Sequence, residues 1–203
     1  MRLAILGATG PTGQQLVKQA LQAGHMVTAL VRNPAKLPIK DKHLAIIQGD
    51  ALVYEDVEKV VKDQDAVLSA LGVKPPSNEK LVGPATTNIV KAMENHGIKR
   101  LIIQSGFFMD ESVRKKPLVK VLTKTFMKGI YEDKKVQNSQ LEKSELQWTE
   151  VRPTMLTNKA KKSYKIDQTP GNMSKISRAN VADFMLSQLS DKQFLNKAVI
   201  ITE

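Results

Sequence analysis

Short apolar runs alternate along the chain with amphipathic stretches, the pattern of strands laid against helices. Leu3-Ala4-Ile5-Leu6 has the length and apolarity of a buried strand. Gln14 to Ala23 then carries Leu16, Val17, Ala20 and Leu21 on one face, with Gly24 as a C-terminal stop. Met26 to Val31, Leu44 to Ile47, Ala66 to Gly72, Leu101 to Ile103, Trp148 to Val151 and Ala198 to Thr202 are further strands. Val57, Val60 and Val61 mark a short helix. Asn78 to His96 reads as a longer one, with Ile89, Val90 and Met93 inward and Gly97 as its stop. Past Asp110, Leu118, Leu122 and Phe126 recur every four residues within Lys116 to Ile130, as one helix or two short ones able to cover a site. Tyr131 to Ser144 is another helix, and Ser177 caps a last one running through Leu189. Strands too apolar to have a wet face, separated by helices, predict an α/β fold. The expectation is a single Rossmann-type domain over residues 1–203, with a doubly wound, mostly parallel sheet and helices on both faces.

The first strand is followed at once by Gly7-Ala8-Thr9-Gly10-Pro11-Thr12-Gly13 and then by the first helix. Strand, glycine turn, helix is the setting in which a glycine motif binds phosphate. Gly7 makes the tight turn, Gly10 lets a pyrophosphate approach the backbone, and Gly13 lets the helix pack close to the strand. The free N–H groups and positive end of the helix then face the anion. Arg32 ends the second strand, 19 positions past Gly13, where NAD enzymes carry an acid for the ribose 2′-hydroxyl. An arginine there suits a 2′-phosphate, and Lys36 follows four residues later beyond Pro34. The alternative is a plain surface cation. Asp50, Leu71-Gly72 and Ser105 all fall at carboxyl ends of strands, on the rim where ligands of such sheets lie.

Composition narrows the picture. The chain has 203 residues, 41% hydrophobic, and no apolar run near the roughly 18 residues of a membrane helix. It opens directly on a strand without a signal-peptide pattern, so a cytoplasmic protein with no membrane partner is expected. Having no cysteine, it can form no disulfide or thiolate site, and His25, His43 and His96 lack ligand spacing, so no metal is expected. The net charge of +11 gathers between Arg114 and Lys143 and in Lys159 to Lys165. That excess is either a solvated basic surface or an attractor of anions. Aromatics are 4% and not interleaved with the cations, so nucleic acid is not the expected partner.

Several motifs together resemble the atypical short-chain dehydrogenase/reductases: the glycine turn, Val31-Arg32-Asn33-Pro34, Gln48-Gly49-Asp50 and Leu71-Gly72. Leu146-Gln147-Trp148-Thr149-Glu150-Val151-Arg152-Pro153 is similar to that family's "L-x-W-T-x-x-R-P". Ile176-Ser177-Arg178-Ala179-Asn180-Val181-Ala182 is similar to its "I-S-R-A-D-V-A", with Asn180 replacing the acid. The compact size and Ala8-Thr9-Gly10-Pro11-Thr12-Gly13 look most like the biliverdin reductase B/flavin reductase branch, related to the NmrA-like proteins. The resemblance implies an NAD(P)-binding Rossmann fold with a seven- or eight-stranded sheet, and Arg32 with Lys36 makes NADP(H) the expected cofactor. Gly7, Thr9, Gly10, Pro11, Thr12 and Gly13 would hold its phosphates, Arg32 and Lys36 the 2′-phosphate, Asp50 and Ala51 the adenine, Leu71 and Gly72 the central riboses. Ser105, Pro153, Thr154 and Met155 would surround the nicotinamide.

The parent superfamily uses a Ser, Tyr-x-x-x-Lys set, and Ser105, Tyr131 and Lys135 can be written that way. Counted back from Trp148-Thr149, however, the family's lysine falls on Lys134, which would bind the nicotinamide ribose. Ser105, Tyr131 and Lys134 are thus the catalytic candidates. The implied activity is an NADPH-dependent reductase, a monomer or weak homodimer. It would pass hydride to a small planar acceptor such as a flavin, quinone or tetrapyrrole. The alternatives are an NADP(H)-sensing regulator of the NmrA-like kind, or a sugar-nucleotide or steroid-type dehydrogenase. The missing substrate lobe speaks against the last.

Overall fold

The computed structural model describes residues 1–166 and 174–203. In chain order the elements are β1 (Arg2–Leu6), α1 (Pro11–Gln22), β2 (Met26–Val31), β3 (Leu44–Gln48), α2 (Tyr54–Val61), β4 (Ala66–Ser69), α3 (Val82–Asn95) and β5 (Arg100–Gln104). There follow α4 (Glu111–Arg114), α5 (Pro117–Lys124), α6 (Lys128–Lys143), β6 (Gln147–Pro153), β7 (Met155–Thr157), β8 (Lys165–Ile166), β9 (Lys175–Ser177), α7 (Arg178–Ser187) and β10 (Lys197–Thr202). Eight strands form one sheet in the order β3-β2-β1-β4-β5-β6-β10-β8. All its pairings are parallel except β10 with β8. The sheet is covered on both faces, which is why the central strands are apolar throughout. α1 and α7 pack on one face and α2, α3 and α6 on the other, each over its own apolar cluster. This is the doubly wound fold expected from the alternation.

Chain order reverses between β1 and β4, and this switch point opens a crevice at the carboxyl edge. The register levels that edge, since Leu6 pairs with Leu30 and with Ser69, Ser69 with Ile103, and Ile103 with Glu150. The loops after β1, β2, β4 and β5 therefore start at about one height, while β6 runs three residues past Glu150 to Pro153.

Several boundaries differ from the sequence reading. β4 ends at Ser69, so Leu71-Gly72 belong to the following loop. α3 starts at Val82, not Asn78, because its first turn is capped from elsewhere: the buried Asp133 carboxylate accepts from the N–H groups of Leu81, Val82 and Gly83 at 2.7–3.1 Å. α7 stops at Ser187 rather than Leu189, although Ser177 does cap it, accepting from Asn180 N. β3, an edge strand, does have a wet side, with Ala45, Ile46 and Gln48 exposed. The segment after Ile130 is not the start of a new helix, for α6 begins at Lys128. The small parallel pair of β7 and β9 went unforeseen.

Candidate functional site

The glycine turn is built around two close approaches. Gly7 has φ +78°, and a Cβ there would lie 2.6 Å from the Ala70 carbonyl carbon, where the loop after β4 crosses. At Gly13 a Cβ would lie 2.0 Å from the Gly7 carbonyl oxygen. α1 thus begins directly against the end of β1. Pro11 fills the first helical position, where a missing N–H costs nothing, and no side chain caps this turn. Its N–H groups are left for an anion.

In front of the turn lies a cleft of ≈ 380 Å³. It is lined by Gly7, Thr9 and Gly10, by Arg32 and Lys36 past β2, by Asp50 and Ala51 past β3, and by Leu71, Gly72 and Lys74 past β4. Nine of the positions proposed from sequence therefore share one crevice; Thr12 and Gly13 are buried in α1 behind it and Pro11 is exposed. Gln14 ties two walls together, its Nε2 donating to the carbonyls of Thr9 (3.1 Å) and Lys36 (3.3 Å). Asn33 accepts from Ala35 N, which shapes the loop between Arg32 and Lys36. Neither cation has an ion-pair partner among the described residues. Asp50 Oδ1 accepts from Leu52 N at 3.0 Å, and Asn88 Nδ2 holds the Ala51 carbonyl at 3.0 Å.

Further along the carboxyl edge, the end of β5 meets α6. The Ser105 backbone N–H donates to Val151 O at 2.7 Å, while its buried hydroxyl has no partner among the described residues. Lys134 is buried, with Nζ 3.5 Å from Gln104 O and 3.3 Å from Gln137 Oε1, and no carboxylate within ion-pairing range among the described residues. Burial brings its pKa down to about 8, opposed by the charges of Glu150 and Asp133 and assisted by Arg152. Ser69 Oγ, Gln104 Oε1 and Gln137 Nε2 are likewise buried and without a partner among the described residues. Buried polar atoms without a partner are uncommon in a folded chain, and four of them fall on these strand ends and α6. Pro153 and Thr154 are buried and Met155 half-buried at the end of β6. Lys134 thus reaches the backbone of Gln104, the residue before Ser105.

Tyr131 is placed differently. Its hydroxyl bonds Arg114, whose guanidinium lies 5.4 Å from its ring, and it lines a second cavity of ≈ 570 Å³ between α4, α5 and α6. Lys135 is exposed and paired to Glu132 at 3.0 Å. Of the two lysines, Lys134 is buried and reaches the end of β5, whereas Lys135 is exposed.

One buried charged cluster went unread in the sequence. Glu150 and Arg152, two residues apart on β6, point to the α6 face and join at 2.7 Å. Arg152 also reaches Asp110 at 3.3 Å. Asn138 locks the pair, donating to Glu150 Oε1 (2.8 Å) and to the Lys134 carbonyl (3.2 Å) and accepting from Arg152 (3.1 Å). Its signal was present: two opposite charges at strand spacing, Glu150 and Arg152, on either side of Val151.

Known proteins share this architecture. A short-chain dehydrogenase/reductase from Veillonella parvula, solved in complex with NADP, superposes with a TM-score of 0.84 over 100% of this chain and 94% of that one, at 22% identity. Among curated proteins, YwnB of Bacillus subtilis is 33% identical over 115 residues, 55% of this chain and 52% of its own length. A 3-diazoavenalumate denitrifying reductase from a Streptomyces species is 33% identical over 120 residues, 53% of this chain and 38% of its own. The chain spans about half or less of those two relatives. Residues 7–192, which include the turn, the cleft, Lys134 and the Glu150–Arg152 pair, match the profile of the NAD(P)H-binding family, and the chain belongs to that family.

Proposed function

We propose that the protein is an NADPH-dependent reductase that passes hydride to a planar conjugated acceptor of the flavin, quinone or tetrapyrrole kind. The observation that carries this reading is the division of the candidate catalytic residues. Lys134 reaches the carbonyl of Gln104, next to Ser105 at the end of β5, whereas the Tyr131 hydroxyl is engaged by Arg114 in the cavity between α4, α5 and α6. A carbonyl acceptor needs a proton delivered to the developing alkoxide, work usually worth roughly 10²–10⁴-fold. A flavin or quinone ring can take its proton from solvent, and the protein need only stack, orient and exclude water. NADPH would supply the hydride. Lys134 would hold the nicotinamide ribose and Ser105 the nicotinamide. The reductase name of the Streptomyces relative supports the reaction class.

The deciding experiment is NADPH oxidation over flavins, quinones and aldehydes, with Tyr131→Phe alongside. Turnover with a flavin or quinone should survive Tyr131→Phe largely intact. A hundredfold loss with nucleotide binding unchanged would restore the Ser105–Tyr131–Lys135 arrangement and a carbonyl substrate. Binding without any turnover would mark an NADP(H) sensor instead.

NADP(H) should bind more tightly than NAD(H), since Arg32 and Lys36 are unpaired cations on the cleft wall. A charge-assisted contact is typically worth about 1.5–3 kcal/mol. Arg32→Ala should therefore weaken NADPH by roughly tenfold or more and leave NADH nearly unchanged. Equal native affinities by titration would contradict this.

Affinity should also depend on pH through Lys134. Its folded pKa of about 8 lies below the ordinary lysine value of 10.5, so the cost of burying its charge is fully present below pH 8 and fades above it. Bound nucleotide has the opposite preference, for the ammonium. NADPH affinity should hold below about pH 8 and decline above it, while Lys134→Ala should be weaker throughout and flat across that range. Calorimetric titration at several pH values checks both.

A further inference from the structure

The cofactor cleft and its rim leave one strongly marked stretch unused. Residues 112–131 contain Arg114, Lys115, Lys116, Lys120, Lys124 and Lys128 and not one Asp or Glu. Lys120, Lys124 and Lys128 have no ion-pair partner among the described residues. α5, at the centre of this stretch, is turned inside out. Its buried residue is Thr123, whose hydroxyl bonds back to the carbonyls of Val119 and Lys120. Its large apolar side chains face solvent: Leu118 is 64% exposed, Val121 58% and Leu122 39%, with Phe126 just past the helix end at 52%.

At about 100° per residue, Thr123 and Val119 mark the inward direction, Val121 lies nearly opposite, and Leu118 and Leu122 extend the apolar strip beside it. Lys120 and Lys124 border that strip on one side. An apolar strip edged by lysines is how a helix lies in the surface of a lipid bilayer: the apolar side chains enter the headgroup layer while lysine stems reach up to the phosphates. A second copy of this chain would set the same cations against themselves. The charge calls for an anionic partner, and the exposed strip calls for an apolar one immediately beneath it.

We propose that α5 docks the protein on an anionic membrane surface, Leu118, Val121, Leu122 and Phe126 entering the headgroup layer and Lys120, Lys124 and Lys128 meeting its phosphates. No described helix is long and apolar enough to cross a bilayer, and docking requires none. The expectation of no membrane partner rested on the lack of a spanning segment and of a signal-peptide pattern, and neither bears on surface docking. None of its residues lines the cofactor cleft, and the proposal does not depend on the hydride acceptor.

The test is co-sedimentation of the full chain with vesicles of phosphatidylcholine alone or mixed with phosphatidylglycerol, at low salt and at about 1 M, where the Debye length is roughly 3 Å. Binding should favour the anionic vesicles by about tenfold or more and weaken in high salt. Leu118→Ser/Val121→Ser should lower binding by about tenfold with the charge unchanged, and Lys120→Gln/Lys124→Gln should erase the preference for phosphatidylglycerol. All four positions are exposed, so both variants should melt with the native protein and keep their NADP(H) response. Three results would overturn the proposal: equal binding to both vesicles; binding to anionic vesicles untouched by Leu118→Ser/Val121→Ser, which marks a plain polycation; or capture by a soluble polyanion such as polyglutamate with no vesicle binding. A dimer by light scattering that dissociates on Leu118→Ser/Val121→Ser would overturn it as well, in favour of a second copy.

Discussion

Gly13→Val should unfold or severely destabilise the protein, whereas Gly10→Val, three residues earlier, should leave it folded but insensitive to NADP(H). The two glycines meet different surroundings. A Cβ at Gly13 would lie 2.0 Å from the Gly7 oxygen and 2.8 Å from Ala8 Cα, all backbone of the turn itself. Nothing flexible can yield, so α1 must lift from β1 and carry Leu16, Val17 and Ala20 away from the core. Loss of that packing places the cost among the exceptional single substitutions, above about 4 kcal/mol, or roughly 8–16 °C in Tm for a chain of this size. Gly10 has φ −72° and ψ 159°, which any residue adopts, and a Cβ there meets only the Gly7 oxygen at 3.3 Å. The apo protein should therefore melt close to the native one. A valine at Gly10 nonetheless projects at the mouth of the phosphate turn. Native protein at NADPH a hundredfold above Kd should gain about 2.7 kcal/mol, and Gly10→Val should gain almost none. Calorimetric scans with and without NADPH separate these effects. A Gly10→Val protein that still responds fully would place the phosphates elsewhere, and a Gly13→Val protein of native Tm would refute the packing argument.

That contrast also shows what the sequence discloses. The turn from Gly7 to Gly13 was legible because its constraint is local: strand, turn and helix are neighbours in the chain, and each glycine answers to an atom within a few positions or to the adjoining strand end. Arg32, Asp50 and Leu71-Gly72 were legible for a related reason, since in a parallel sheet the carboxyl end of every strand faces the same crevice. Elements fixed by distant partners were not. The start of α3 is set by Asp133, fifty residues downstream. For α5, the spacing of Leu118, Leu122 and Phe126 announced an apolar stripe, and the structure turns that stripe to solvent. Periodicity says that a face exists and is silent on what covers it. The choice between Lys134 and Lys135 is of the same kind: adjacent lysines differ in the sequence only by register, and only the fold buries one and exposes the other. Lys159 to Lys165, read as a basic run, remains largely exposed, though Lys161 pairs with Asp183 and Lys165 begins β8.

Glu150→Ala should be among the most damaging substitutions outside the glycine turn, and its effect should extend from stability to the site. The Glu150 side chain is 2% exposed and receives both Nε and Nη2 of Arg152 at 3.0 and 2.7 Å. Removing it leaves the Arg152 guanidinium, itself largely buried, with Asp110 at 3.3 Å and the Asn138 amide. Breaking a buried pair from one side typically costs about 3–5 kcal/mol, because the remaining charge keeps its desolvation penalty without its partner. The fall in Tm should then be roughly 6–20 °C. Glu150→Gln, which keeps the shape and an acceptor for Arg152, should lose less. Glu150→Leu/Arg152→Met, which removes both charges at similar volume, should recover most of the loss, since the pair contributes little net stability over an apolar replacement. A single Glu150→Ala loss that the double variant does not recover would show that volume rather than charge is at stake. The second consequence concerns Lys134, whose pKa Glu150 does most to hold up against burial. With that carboxylate neutralised in Glu150→Gln, the pKa should fall below about 8, and the alkaline decline in NADPH affinity should begin at lower pH than in the native protein. A shift toward acid in that profile, in a variant that still folds, is not expected of a residue whose role is structural alone. An unmoved profile would confine the Glu150–Arg152 pair to holding β6 against α6.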